Sequence, residues 1–172
     1  MCEMNLTHSR EIERAILAIL MMRPDKIAEV EKMIEPEDFF YKRDQIIFRS
    51  VYEAHAQGLP IDLVLVCHYL ETKGLLQECG GATYLASLLD GLPRSEIKNL
   101  GQYCLELRQL RLLRDIQKKS YKVMTSNIEI EAYENILLLK QKIDAFLEFK
   151  NSIKTSNEGQ NESALCAKAI NS

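Results

Sequence analysis

From residue 9 onward, apolar residues recur at steps of three and four with polar residues between them, the period of helices with one buried face. Ile12, Ala15, Ile16, Ile19 and Leu20 predict a first helix starting near Ser9. Glu11 and Glu13 lie in its first turn, where negative charge suits the helix dipole, and Pro24 ends it. Asp25 is read as the cap of a short second helix carrying Ile27, Val30 and Ile34, and Pro36 to Phe40 as a single turn that places two aromatic rings. A third helix, about Arg43 to Gln57, buries Ile47, Phe48, Val51 and Tyr52 and stops at Gly58. Pro60 turns the chain, Asp62 caps a fourth helix with Leu63, Val66, Cys67 and Leu70 inside, and Gly74 takes its left-handed end. Gly80 and Gly81 precede another short helix, Thr83 to Leu89, closed by Gly91 and Pro93.

Beyond residue 95 helix breakers are scarce, which predicts one long helix from Ser95 to about Thr125, with Leu105, Leu112, Ile116 and Val123 on one side. Ser126-Asn127 is read as a turn into a second long helix, about Glu131 to Lys150, carrying Ile136, Leu139, Ile143 and Phe146. No stretch shows the alternation of a strand. The expected fold is all-α: a compact helical bundle of about five to six helices followed by an antiparallel helical hairpin. The expected division is 1–8 a flexible arm, 9–95 a globular helical domain, 96–150 the hairpin, and 151–172 a flexible polar tail with at most a helical turn around Ala164 to Ile170. A hairpin apolar on more than one side cannot bury itself, which makes it the candidate for oligomerisation.

Composition narrows the classes. A net charge of −3 over 172 residues argues against a protein built mainly to hold nucleic acid by charge. Five cysteines without a C-x-x-C pair indicate neither a disulfide framework nor a zinc site. The start of the chain has no signal-peptide pattern, and the longest apolar run, Ala15 to Met22, falls short of the roughly 20 residues that span a bilayer. The expectation is a cytoplasmic chain that does not enter membranes.

Candidate chemistry is sparse. None of the seven glycines begins the G-x-x-x-x-G-K-[ST] pattern that cradles phosphates. His8, His55 and His68 share no ligand or triad spacing with the thiols or acids, and Phe39, Phe40, Phe48 and Tyr84 read as core. A small enzyme using Cys67-His68 or Cys104 requires a reactive, partly exposed thiol. The feature that stands out is Arg108, Arg111, Arg114, Lys118, Lys119 and Lys122 with Asp115 as the lone intervening acid; steps of three and four gather Arg111, Arg114, Lys118 and Lys122 near one helix face. A solvated face, a surface for a partner protein and a contact to nucleic-acid phosphates all fit this pattern.

The order Gly58-Leu59-Pro60-Ile61-Asp62, helix, Gly74-Leu75, Gly80-Gly81-x-x-Tyr84-Leu85 resembles the N-terminal domain of DnaB-type replicative helicases. Glu11 to Leu17 is similar to that domain's first helix, Pro36 to Phe40 to its following turn, and Ile46-Ile47-Phe48 to part of its third helix. Ser95, Asn99 and Tyr103 resemble the start of its sixth helix and Gln141-Lys142-Ile143 the end of its hairpin, so the likeness runs over roughly residues 9 to 149. It implies an all-helical collar domain without catalytic residues or a cofactor of its own; ATP and Mg belong to a C-terminal motor. The implied partners are further copies of itself, as a dimer or hexamer, and primase and a helicase loader, with direct DNA contact weak or indirect. Leu110, Arg111, Leu113, Arg114 and Lys118, with Leu139 and Ile143 opposite, are the implied pairing and docking surface. Leu137 and Leu138 depart from the acidic residues usual in the family, and 151–172 does not resemble its linker. The alternative is a stand-alone protein that binds a resident helicase or primase, as a loader-like factor or inhibitor.

Overall fold

The Ser9 hydroxyl oxygen accepts the Ile12 N–H at 3.4 Å and opens α1, Arg10–Met22. The structure, a computed structural model, describes the backbone at 6–90, 94–125 and 129–170 and the side chains at 6–90, 97–125 and 133–153. Every residue from Ala15 to Met21 is buried, so α1 is enclosed on all sides rather than along the expected stripe. A 3-10 turn, Pro24–Lys26, leads into α2, Ile27–Val30. Asp25 does not cap that helix. Its carboxylate accepts two hydrogen bonds from the Arg23 guanidinium at 2.8 and 2.9 Å, a nearer and charged donor. Ile27, Val30 and Ile34 are buried as expected.

A second 3-10 turn, Pro36–Asp38, is closed by a reciprocal capping box between Glu35 and Asp38. It sends Phe39 into the core, where its ring meets Phe48 at 5.1 Å. Phe40 is only half buried and stacks on His8 at 4.3 Å. His8 Nδ1 donates to the Leu6 carbonyl at 2.8 Å, and its Nε2 lies within hydrogen-bond distance of the Tyr41 hydroxyl at 3.2 Å. The arm expected over 1–8 is therefore docked at Leu6 to His8, while residues 1–5 lie outside the described residues.

α3, Lys42–Ala56, buries Ile47, Phe48 and Val51, but Tyr52 stands 40% exposed, contrary to the sequence expectation. Gly58 ends the helix at φ +71°, a conformation costly for any side chain. In α4, Leu63–Thr72, the Asp62 carboxylate accepts the Leu65 N–H at 2.9 Å. α5, Gly81–Leu89, begins two residues before the expected start, because Gly80 and Gly81 adopt positive φ and turn directly into it. Gly91 and Pro93 lie outside the described residues. α1 packs on α3 and α5, and α4 on the same two helices, which builds the core.

A 3-10 turn, Arg94–Asn99, precedes α6, Leu100–Thr125, where one continuous helix is expected. The chain divides into two compact units, Met1–Arg111 and Leu112–Ser172, so the boundary falls inside α6 rather than near residue 95. The reason is a stripe the sequence reading passed over: Leu100, Cys104 and Leu107, at i, i+4 and i+7, are buried in the core of the first unit, whereas Leu105 is only half buried.

The second unit holds the remainder of α6 and α7, Glu129–Ile170. Asp115 of α6 and Lys142 of α7 form an ion pair at 3.1 Å, which ties the two helices together at these positions. Ser126 and Asn127 themselves lie outside the described residues. Helical backbone runs on to Ile170, where a polar tail with one short helical turn is expected.

Candidate partner-binding surface

The basic run on α6 is not one face. Arg108 donates to the Met33 carbonyl at 3.1 Å, and Arg111 reaches Asp38 Oδ1 at 3.4 Å and Glu35 at 3.9 Å. Both arginines therefore hold α6 against the 33–38 turn within the first unit. Burial holds the Asp38 carboxyl above its usual range despite the Glu35 N–H bond and the two guanidinium groups that oppose the shift. In the second unit Arg114 is buried, only 4% exposed, against the expectation of a solvated face. Lys118 is exposed and Lys119 half buried. Of the other implied surface residues, Leu110, Leu113 and Leu139 are half buried and Ile143 is exposed. The seven are thus split between the units, Leu110 and Arg111 in the first and the other five in the second.

α7 carries two apolar faces. Leu139, Lys142, Phe146, Phe149 and Ile153, spaced by three and four, are half buried, and Lys142 within that set binds Asp115, so this face turns toward α6. At roughly 100° per residue, Ile136, Ile143 and Leu147 form a second line about a quarter-turn away. All three are exposed, Ile136 by 51%, with Tyr133, Leu137 and Leu138 also exposed. Six large apolar side chains of α7 are therefore exposed.

Two buried carboxylates matter most for the first unit. Glu13, expected in the first turn of α1 for its effect on the helix dipole, is fully buried; its carboxylate accepts the Phe40 N–H at 2.9 Å and the Tyr41 N–H at 3.3 Å, leading the chain into α3. Asp44 is also fully buried and accepts the Tyr84 hydroxyl at 2.8 Å. That bond gives the tyrosine of Gly80-Gly81-x-x-Tyr84 its role, tying α5 to α3. Arg43 lies over the Tyr84 ring at 4.0 Å and 3.7 Å from Asp44 Oδ1, while Arg14 donates to the Ser87 carbonyl at 2.6 Å. Burial, joined by the Asp44 charge, pushes the Tyr84 hydroxyl up to about 12.

Burial also raises Asp44, with the Tyr84 hydrogen bond and Arg43 opposing it. A carboxyl raised on folding contributes stability that is complete below its unfolded pKa, near 3.8, and is lost as pH rises through the raised folded value. Asp44→Asn removes that dependence. Urea midpoints will therefore show wild type losing stability relative to the variant as pH rises from about 4; a difference that does not change with pH contradicts this assignment.

The three thiols among the described residues, Cys67, Cys79 and Cys104, are all raised above their ordinary range. Burial pushes Cys104 up to about 12 and Cys79 up to about 11, and burial followed by the Glu71 charge raises Cys67. Among the described residues no group of three or more His, Cys, Asp or Glu is placed to hold a metal ion, and no helix is long and apolar enough to cross a membrane.

Residues 5–109, well over half of the chain, match the family model of the DnaB-like helicase N-terminal domain. The chain belongs to that family. The match ends two residues before the first unit does, so the family fold and the first unit nearly coincide. Likeness to whole relatives reaches further. The replicative DNA helicase DnaB of Pasteurella multocida is 29% identical over 164 residues, 95% of this chain and 35% of the relative, and that of Buchnera aphidicola subsp. Baizongia pistaciae is 32% identical over 124 residues, 72% of this chain and 26% of the relative. The chain thus spans about a third or less of these relatives. The crystal structure of the N-terminal domain of DnaB helicase from Mycobacterium tuberculosis superposes with a TM-score of 0.70 at 24% identity, over 82% of this chain and 99% of that one. The all-α, hairpin-bearing fold is that of the DnaB N-terminal domain.

Proposed function

We propose that this chain serves as the assembly and docking module of a replicative DNA helicase: it pairs with further copies through the second unit and receives primase, and in some systems a loader. ATP-driven unwinding, with ATP and Mg, belongs to a motor domain like that of the longer relatives, and DNA contact by this chain is weak or indirect. The observation that carries the reading is the exposed line Ile136, Ile143 and Leu147 on a helix whose other apolar face is turned toward its own hairpin partner. An apolar stripe of that kind needs a second surface to cover it. Of the residues expected to dock a partner, Leu113, Lys118, Leu139 and Ile143 of the second unit are kept as the docking set, since Arg114 is buried and Arg111 is held by the 33–38 turn. Within it Lys118 is the exposed cation best placed to meet an acidic partner.

Titrating the fluorescently labelled chain with primase from the same cell tests the docking part. The expected result is saturable binding that weakens with salt and falls about tenfold in Lys118→Glu, as for an interfacial charge reversal. Equal affinity of the variant at low salt contradicts the docking set.

A further inference from the structure

Where α1, α3 and α5 meet, a polar cluster lies within the first unit. The Tyr84 hydroxyl donates to Asp44 Oδ1 at 2.8 Å, and Arg14 donates to the Ser87 carbonyl at 2.6 Å. Arg43 is held beside them, its guanidinium 4.0 Å from the centre of the Tyr84 ring and 5.4 Å from that of Tyr41. Two buried side-chain atoms of this cluster nonetheless have no hydrogen-bond partner among the described residues: Arg43 Nε and Asp44 Oδ2. One is a donor and the other an acceptor.

Neither atom reaches the other's group. Arg43 Nε stands 3.7 Å from Asp44 Oδ1, beyond hydrogen-bond reach, and that oxygen already accepts the Tyr84 hydroxyl. Oδ2 belongs to the same carboxylate, so only a short span separates it from Nε. The two tyrosine rings hold the guanidinium and the Tyr84 hydroxyl holds the carboxylate, which keeps both groups from swinging together. A charged donor and a charged acceptor left dry and unpaired are costly. Holding one water costs less, and buried waters sit where otherwise unsatisfied polar groups converge.

We propose that a single water molecule is bound between Arg43 and Asp44, accepting from Nε of the first and donating to Oδ2 of the second. The pair itself selects the class of ligand. The carboxylate repels an anion and the guanidinium a cation, so what fits is a neutral molecule that donates and accepts at once. Both atoms are buried, which leaves the smallest such molecule. With it, Tyr84, Asp44, the water and Arg43 form one hydrogen-bonded chain that closes the joint between α3 and α5. This inference concerns the interior of one copy and is independent of the assembly reading above.

Water-selective nuclear magnetic resonance on the full, nitrogen-labelled chain tests this. Arg43→Lys, which has no Nε–H, assigns the Arg43 Hε signal. The expected result is a cross-peak between Arg43 Hε and water whose sign differs between laboratory-frame and rotating-frame spectra, the mark of a water that stays bound. Exchange through the Tyr84 hydroxyl gives a similar signal, so the spectrum is repeated on Tyr84→Phe, where the cross-peak is expected to persist. A cross-peak missing in wild type, one lost in Tyr84→Phe, or an Hε that exchanges with bulk water too fast to observe overturns the proposal. A crystal structure of the wild-type chain decides the same point without a variant. Ordered density within about 3.2 Å of both atoms is the expected result, and its absence, or a direct contact of Arg43 Nε with Asp44 Oδ2, is the contradicting one.

Discussion

Glu13→Ala will cost about 3 kcal/mol of stability, because it strips the acceptors from two N–H groups and leaves a cavity in the core. The carboxylate lies inside the first unit with no exposed surface, against the Phe40 and Tyr41 amides that open α3. The effect is also cooperative: those amides fix the entry into α3, and α3 packs on both α1 and α4. Glu13→Gln keeps one acceptor oxygen and is expected to lose about 1–2 kcal/mol, since one bond survives while charge assistance is lost. Thermal unfolding followed by circular dichroism will show a midpoint lower by about 6–12 °C for the alanine variant, given the usual 2–4 °C per kcal/mol for a chain of this size. A loss below about 1 kcal/mol, within the range of ordinary surface changes, contradicts the role given to Glu13.

The second large effect concerns assembly. Ile136→Glu combined with Ile143→Glu puts two carboxylates on the exposed apolar line of α7 without touching the face that carries Lys142. Each substitution removes an apolar side chain from the proposed interface and adds a charge that must be desolvated on pairing. Self-association is expected to weaken at least about 100-fold, a loss of about 2.7 kcal/mol or more. The helical circular dichroism spectrum and the thermal midpoint at low concentration will stay close to wild type, because both positions are exposed in the single chain. A variant that associates as wild type does would remove α7 from the interface.

These two cases also show what a one-dimensional reading can reach. The Ser9 and Asp62 caps and the helix stop at Gly58 were legible, because a cap or a positive-φ turn is decided by residues within four positions of one another. Glu13 was not. At a helix start its charge is explained by the dipole alone, and only the folding of residues 40–41 onto α1 reveals 27- and 28-residue hydrogen bonds. Asp44 and Tyr84 were missed for the same reason, their bond spanning 40 residues.

Helical spacing alone gathers Arg111, Arg114, Lys118 and Lys122 of the basic run near one face of α6. Yet the helix crosses a unit boundary at Arg111, so Arg108 and Arg111 answer to the 33–38 turn while Lys118 does not. The buried step Leu100, Cys104, Leu107 was the available signal for that division, since it marks where α6 belongs to the core. Family likeness, carried by the spacing of several short stretches, survived all of these local misreadings because it depends on their order and not on any single side chain's environment.

The central claim is that this chain assembles with itself through exposed apolar surface. Its most direct test is the native mass of the purified chain by analytical sedimentation, over a range of concentrations and at low and moderate salt. The account predicts a mass that rises with concentration from dimer toward hexamer and keeps its dimer at moderate salt, because apolar burial is not screened as charge pairs are. A strict monomer under every condition would contradict the account.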